Sequence, residues 1–356
     1  MSRIASTRNI LATGVVLLGA LGPAALAGAR PAGATATKHI AVVLASLGVS
    51  AYQQMAGGAK FAAADLGGID LKVFGPAQAD GPQELKLFQS AVSTYKDGIV
   101  FNTLTGPLFA KPLAQTIAKG VPVIAMNSLP PVGSNITLYV GNDNYALGAS
   151  LAQETIKRLP KNASGTVVVN DGGKGTPVYD NRARAIRDAF ATALPGVRIV
   201  ESDALCAVAA PCYSALAPVV RANTHALAIL ATRDVDTSTL AQLKTQTGGK
   251  FLAAGIDINP STLKAVQSGI LFCTISPEQY LKGYIATRLL AEAVKTGKPM
   301  AKGWFDEPGL VVDQSLAGEF ITRQSSDAKM RAWLRPEITR VFANVASYMK
   351  PLSEAR

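Results

Sequence analysis

Short, continuously apolar runs alternate with longer amphipathic stretches along most of this chain, and that rhythm predicts parallel strands separated by helices. Ile40-Ala-Val-Val-Leu44 opens the pattern and is followed by a helical stretch over 52–66 that stops at Gly67-Gly68. Leu71–Phe74 reads as a strand, 83–95 as a helix, Gly98–Phe101 as a strand, 108–119 as a helix and Pro122–Met126 as a strand. After Tyr139-Val140 the same grammar restarts. Helices are expected over 146–159, 180–193, 213–222, 238–246, 261–268 and 278–295, with strands at 165–169, 198–200, 226–230, 251–255, 271–275 and near 310–312. A closing helix is expected over 328–349, with Trp333 and Leu334 on its apolar stripe, packing back on one lobe.

Strict alternation of this kind marks a doubly wound α/β sheet, and its repetition predicts two such lobes of roughly equal size. The stretch Tyr139-Val-Gly-Asn-Asp-Asn-Tyr-Ala-Leu-Gly148 lies where one unit ends and the next begins, so Asn142–Asn144 is expected to carry the chain between lobes. A ligand cleft is then expected between them.

Length and composition allow this reading: 356 residues, 48% hydrophobic and 17% charged, can bury two moderate cores. The first 36 residues change the picture further. Arg3 and Arg8 precede an apolar run, Ile10 to Leu26, and Ala25-Leu-Ala27 or Ala34-Thr-Ala36 offers a small-x-small cleavage pattern, so 1–36 is read as a signal peptide. Gly19, Gly22 and Pro23 interrupt the run and argue against a membrane anchor. A periplasmic or secreted protein is expected. Cys206 and Cys212 are close enough in sequence for a disulfide in such a compartment, whereas Cys273 sits in an apolar strand as a buried thiol. His39 and His225 are isolated, so no metal site is expected. The formal charge of +11 is scattered without an aromatic-interleaved patch, which reads as a solvated basic surface rather than a nucleic-acid interface.

In doubly wound sheets ligands bind beyond the carboxyl ends of the strands, where loops and helix N-termini converge. The residues expected there include Ser46, Tyr52, Asn102, Asn127, Arg182, Arg233, Asp257 and Glu278. Amides, hydroxyls, arginine and carboxylate together form a hydrogen-bonding set for a polar solute, with tyrosine to cover an apolar face. Each has an ordinary alternative: Arg182 as a surface charge, with Arg184 as the substitute cleft residue; Asp257 as a helix cap; Asn102 and Asn127 as loop holders; Arg233 in a pair with Asp234 or Asp236. The loop Asp171-Gly-Gly-Lys-Gly-Thr176 lacks the spacing of a phosphate-binding P-loop, and no Gly-x-Ser-x-Gly elbow is present.

The order of these motifs resembles the ribose-type sugar-binding proteins of ABC uptake systems, members of the periplasmic-binding-protein type 1 family. The resemblance runs from about Ile40 to Asp313. It is carried by Ile40-Ala-Val-Val-Leu with Ser46 and Tyr52, by Lys96-Asp-Gly-Ile-Val-Phe-Asn102, and by Gly120-Val-Pro-Val-Ile124 ahead of Asn127. Val140-Gly-Asn-Asp-Asn144, Arg182, Ala253-Ala-Gly-Ile-Asp257 and Gly269–Ile275 before Pro277 complete it. It implies an α/β fold of two doubly wound lobes joined by a three-segment hinge, with crossings near Asn142, Pro277 and Glu307. The lobes would be 37–142 plus 278–307 and 143–277 plus 308–326, followed by a helical extension, 327–356. It also implies a monomer without cofactor that closes on a small polar ligand and hands it to membrane permease subunits. Tyr52 then matches an aromatic that packs on a sugar ring, Arg182 an arginine that donates to sugar oxygens, and Asp257 a carboxylate that accepts from hydroxyls. The chain departs from the family's pattern elsewhere. An Asp-Arg pair is replaced by Asn127-Ser128, an Asn by Arg233, a further Asn by Val49 and a second aromatic by Ala51, and a Gln belongs near Pro277. The less acidic cleft turns expectation from ribose toward another sugar, a polyol or an anionic derivative. A sensory binding protein, a secreted α/β enzyme and a repressor core are the competing classes; the leader and the missing Gly-x-Gly-x-x-Gly disfavour the last two.

Overall fold

The computed structural model describes residues 36–204 and 209–356, and 36–356 forms one compact unit. The expected signal peptide and Cys206 therefore fall outside the described residues. Cys212 is disulfide-bonded and Cys273 is a free, buried thiol, as its apolar strand predicts.

The expected apolar runs are strands. β1 (Lys38–Val43), β2 (Ile69–Phe74), β3 (Gly98–Phe101), β4 (Val123–Met126) and β5 (Leu138–Gly141) join β11 (Gly303–Asp306) and β13 (Met349–Lys350) in one sheet, in the order β13-β11-β5-β4-β3-β1-β2. A second sheet has the order β12-β10-β9-β8-β6-β7. It is built from β6 (Gly165–Asn170), β7 (Val197–Ser202), β8 (Ala228–Ala231), β9 (Leu252–Ile256), β10 (Cys273–Ser276) and β12 (Leu310–Asp313). All pairings are parallel except at the two edges that β12 and β13 close. Central strands such as β3, β4 and β8 are buried along their whole length, which is why they read as unbroken hydrophobic runs.

Helices cover both faces of each sheet. In the first lobe α1 (Ser50–Leu66), α9 (Gln279–Thr296) and α11 (Asp327–Ala343) bury Met55, Phe61, Tyr284 and Leu334 on one face. On the other, α2 (Gly81–Thr94) and α3 (Gly106–Ala118) enclose Phe88, Phe101 and Phe109. In the second lobe α4 (Asn144–Ile156) and α5 (Pro177–Ala193) pack opposite α6 (Ala209–Ala222), α7 (Asp234–Thr247) and α8 (Pro260–Gln267). Helices α1 and α9 touch backbone to backbone. A Cβ at Gly58 would fall 1.8 Å from the Tyr280 carbonyl oxygen, and one at Gly283 would fall 2.0 Å from that of Met55.

The C-terminal region departs from expectation. The helix expected over 328–349 ends at Ala343, and a 3-10 turn, Val345–Tyr348, leads into β13, which pairs antiparallel with β11. A further helix, α10 (Gln314–Gln324), precedes it on the second lobe, against α8. The chain thus passes between the lobes a fourth time, at Ser325-Ser326. Residues 327–356 are part of the first lobe rather than an appendage: Met330, Leu334, Ile338 and Val341 belong to its core. The Arg356 carbonyl accepts from Asn144 N–H at 2.8 Å, and its guanidinium meets Asp143 at 3.1 Å, so the tail ends against the first crossing.

Candidate functional site

Where the two sheets' carboxyl ends face each other, a cavity of about 270 Å³ is lined from both lobes. The first lobe contributes Ser46, Tyr52 and Asn127; the second contributes Tyr179, Arg182, Arg233 and Asp257. The lobes are closed over it: Gln54 Nε2 on α1 donates to the Ile258 carbonyl across the gap at 3.0 Å.

Arg182 is held by three acceptors. Its Nε donates to Asn144 Oδ1 at 3.0 Å, and Nη1 donates to the Thr232 carbonyl at 2.7 Å and to Asp257 Oδ2 at 3.3 Å. At 2% exposure its buried charge is offset by the Asp257 carboxylate. Its height on α5 is set by contact with α4, because a Cβ at Gly148 would lie 2.2 Å from the Arg182 carbonyl oxygen. Asp257 ends β9 with φ of 74°, a left-handed conformation that Asp and Asn tolerate better than other side-chain-bearing residues. Asn127 at the end of β4 is left-handed too, with φ of 66°. Strand-end residues held this way point into the crevice instead of continuing the sheet.

A polar chain then crosses the cleft floor. Gln279 Nε2 donates to Asp257 Oδ1 at 2.8 Å, Lys282 Nζ donates to Gln279 Oε1 at 3.0 Å and to Asn127 Oδ1 at 2.9 Å. Burial lowers the Lys282 ammonium to about 8, against the pull of Glu307 and Asp257. The chain joins a second-lobe ion pair to a first-lobe strand end.

The other arginine is also engaged. Arg233 donates to the Gly172 carbonyl, its Nε lies 3.9 Å from Asp236 Oδ1, and its guanidinium sits 4.9 Å over the Tyr179 ring. Burial raises both Asp234 and Asp236 to about 7, with the Asp257 charge adding to the rise at Asp234. Asp234 accepts from Asn259 Nδ2 at 2.5 Å.

Six of the eight expected residues thus meet at one cavity: Ser46, Tyr52, Asn127, Arg182, Arg233 and Asp257. Asn102 and Glu278 stand elsewhere. Asn102 is fully buried, donating to the Met126 carbonyl and Ser128 Oγ and accepting from Ala45 N–H, so its amide fastens β1 to β4. Glu278 forms a buried two-point ion pair with Arg323 at 2.8 and 2.9 Å behind the cleft. Tyr179, Gln279 and Lys282 were not anticipated. Tyr179 could have been found one helical turn before Arg182, hence on the same face of α5.

The three expected crossings meet at one side chain. Asn142 Nδ2 donates to the Glu307 carbonyl at 2.6 Å and to that of Pro277 at 3.3 Å, tying the first crossing to the other two. Among the described residues no cluster of three or more metal-ligating side chains occurs.

Two α/β lobes, strand ends from both converging on one cavity and a multi-stranded waist are the architecture of a solute-binding protein. The chain belongs to the periplasmic binding protein family: the family's periplasmic binding protein domain model matches residues 40–299. It is similar to the D-allose-binding periplasmic protein of Escherichia coli K12, 27% identical over 274 residues, which cover 74% of this chain and 87% of the relative. Among solved structures, a glucose-galactose binding protein from Geobacillus stearothermophilus superposes with a TM-score of 0.69 at 24% identity, covering 78% of this chain and 98% of the other. An ABC transporter solute-binding protein from Burkholderia graminis, in complex with D-arabinose, gives 0.72 at 22% identity, with 80% and 98% covered.

Proposed function

We propose that this chain is an exported binding protein that closes on one neutral monosaccharide and delivers it to the membrane permease of an ABC uptake system. The observation that carries the reading is that both arginines of the cleft are already engaged. Arg182 is paired with Asp257, and Arg233 is held by the Gly172 carbonyl and the Tyr179 ring with Asp236 beside it, so neither is left open to an anionic ligand. What such paired groups still offer is directional donors and acceptors for hydroxyls, while Tyr52 and Tyr179 provide faces for a sugar ring. The cavity has room for a single ring. Relatives named for D-allose and for D-arabinose complexes fit this ligand class. The leader pattern of 1–36 and the family's setting support export and periplasmic residence.

The test is calorimetry and thermal unfolding of the mature protein against neutral aldoses, polyols and sugar acids. A ligand that binds only the folded state stabilises it by about 2.7 kcal/mol at a hundredfold excess over Kd, visible as a raised Tm. The expected outcome is a shift with at least one neutral aldose and none with the matching sugar acid. Turnover of any sugar, or a shift confined to acids, overturns the reading.

A further inference from the structure

The cavity between the lobes is polar at one end and apolar at the other, and the order of the strands shows which end is which. The first three crossings leave from β5, β10 and β11. Distance from the waist therefore grows along β4, β3, β1 and β2 in the first sheet and along β9, β8 and β6 in the second. Nearest the waist are Asn127 after β4 and Asp257 after β9, the latter bonded to Gln279 and Arg182. Farther out the strand ends bring Leu104, Val49 and Ala79 from the first lobe and Val235 and Val178 from the second. Val49, Leu104 and Val235 stay half-buried with the lobes closed over them, and each lines the cavity.

The waist end keeps hydrogen-bonding capacity for a ligand. A lysine ammonium only donates, so the Asn127 oxygen must be the atom that faces Lys282 Nζ at 2.9 Å, and the amide nitrogen is turned away from it. Among the described residues none accepts from that nitrogen, which leaves Asn127 a donor at the cavity wall. At the outer end much of the polar capacity is already used. The Ser46 hydroxyl donates to the Ala77 carbonyl and accepts from the Gly48 N–H, both at 3.2 Å. Asp234 accepts from Asn259, and Arg233 donates to the Gly172 carbonyl. A ligand hydroxyl placed among the valines and Leu104 loses its water without a replacement bond, whereas a methyl group there is favoured.

We infer that the ligand is a 6-deoxyhexose, held by its ring hydroxyls at the waist end, with its methyl group among Val49, Leu104, Val178 and Val235. This deepens the monosaccharide reading above and rests on it. A pentose, the hexose with the same ring hydroxyls and the matching 6-deoxyhexose differ only in what carbon 5 carries: hydrogen, hydroxymethyl or methyl. The polar end meets the same hydroxyls in all three, so any preference among them reports on the apolar end.

The probes are matched triads, titrated into the protein by calorimetry: D-ribose, D-allose and 6-deoxy-D-allose; L-arabinose, D-galactose and D-fucose; D-arabinose, L-galactose and L-fucose; L-lyxose, L-mannose and L-rhamnose. In the triad that binds, the methyl member should be roughly fourfold tighter than the pentose, the gain from burying one carbon. It should be at least about tenfold tighter than the hexose, whose extra hydroxyl goes unpaired. Val235→Thr keeps the shape and adds a hydroxyl at the outer end, so it should shrink the margin over the hexose by about threefold or more. A hexose or pentose that binds as tightly as its methyl partner overturns the inference and leaves the sugar reading standing, since a hydroxyl such as that of Thr176 or Tyr179 then serves carbon 6. An undiminished methyl margin in Val235→Thr overturns the placement of the methyl group. Absence of saturable binding by every 6-deoxyhexose also overturns the inference, and the sugar reading is then decided by the wider panel of aldoses, polyols and sugar acids.

Discussion

Replacing Asp257 by asparagine separates two roles that the cleft superimposes. The carboxylate accepts from Arg182 at 3.3 Å and from Gln279 at 2.8 Å, and it lines the cavity where a sugar hydroxyl would donate. Asparagine has nearly the same shape and tolerates the φ of 74° that this position requires, so the backbone survives the change. What is lost is the negative charge. Arg182, 2% exposed, keeps its bonds to Thr232 and Asn144 but loses its counter-ion. Removing one member of a buried pair costs about 3–5 kcal/mol, and the two surviving acceptors place this case toward the lower end. The loss should appear without ligand, as a lowered urea midpoint.

Ligand affinity is the second readout. A hydrogen bond to a charged acceptor contributes about 1.5–3 kcal/mol, so Kd for the best neutral sugar should rise by roughly ten- to a hundredfold. Gln279→Met is the control, since it removes a brace while leaving the carboxylate charged. If Asp257→Asn lowers the urea midpoint yet leaves Kd within about threefold of the parent, a change worth less than a kcal/mol, Asp257 only supports Arg182. The ligand assignment then fails.

Three further outcomes follow from the geometry. Asn142→Ala leaves the Pro277 and Glu307 carbonyls unpaired at the waist and should cost about 1–3 kcal/mol in urea unfolding; an unchanged midpoint would show that the clamp contributes nothing. Gly148→Ala places a Cβ 2.2 Å from the Arg182 carbonyl oxygen, so α5 must shift; a loss of about 1–3 kcal/mol with weakened sugar binding is expected, and full affinity would mean that Arg182 needs no such placement. Burial raises Glu84 to about 8 against the Thr103 hydrogen bond, so the folded state keeps a proton that the unfolded chain releases near pH 4.5. Between those limits stability should fall as pH rises, by up to about 1.4 kcal/mol per unit, and Glu84→Gln should flatten the slope; parallel pH curves for the two proteins would refute it.

The strands were legible because a parallel strand covered on both faces must be apolar at every position, and few other elements in this chain have that pattern. Helix starts were legible only where an apolar stripe begins: α7 starts at Asp234, and its buried first-turn residues Asp234, Asp236 and Thr237 are polar and give no hydrophobic signal. β11 and β13 escaped notice for a different reason: four and two residues are too short for periodicity, and their pairing joins segments far apart in the chain. Helix α10 buries only Ala317, Phe320 and Arg323, a stripe too sparse to stand out.

The candidate site was partly legible on the same terms. Residue type at a strand end says which hydrogen bonds a side chain can make, and nothing about which partner uses them first. Asn102 and Asn127 are the same amide at neighbouring strand ends; one is consumed by Met126, Ser128 and Ala45, while the other lines the cavity and accepts a hydrogen bond from Lys282. The waist makes the same point from the other side. Asn142–Asn144 reads as connection rather than chemistry, and Asn142 does hold the crossings together. Two residues on, Asn144 Oδ1 accepts from Arg182 Nε at 3.0 Å while its N–H bonds the C-terminal residue. One short polar triplet therefore joins the lobe crossing, the tail and the arginine that lines the cleft, so a movement of the waist would displace that arginine directly, with no intervening relay.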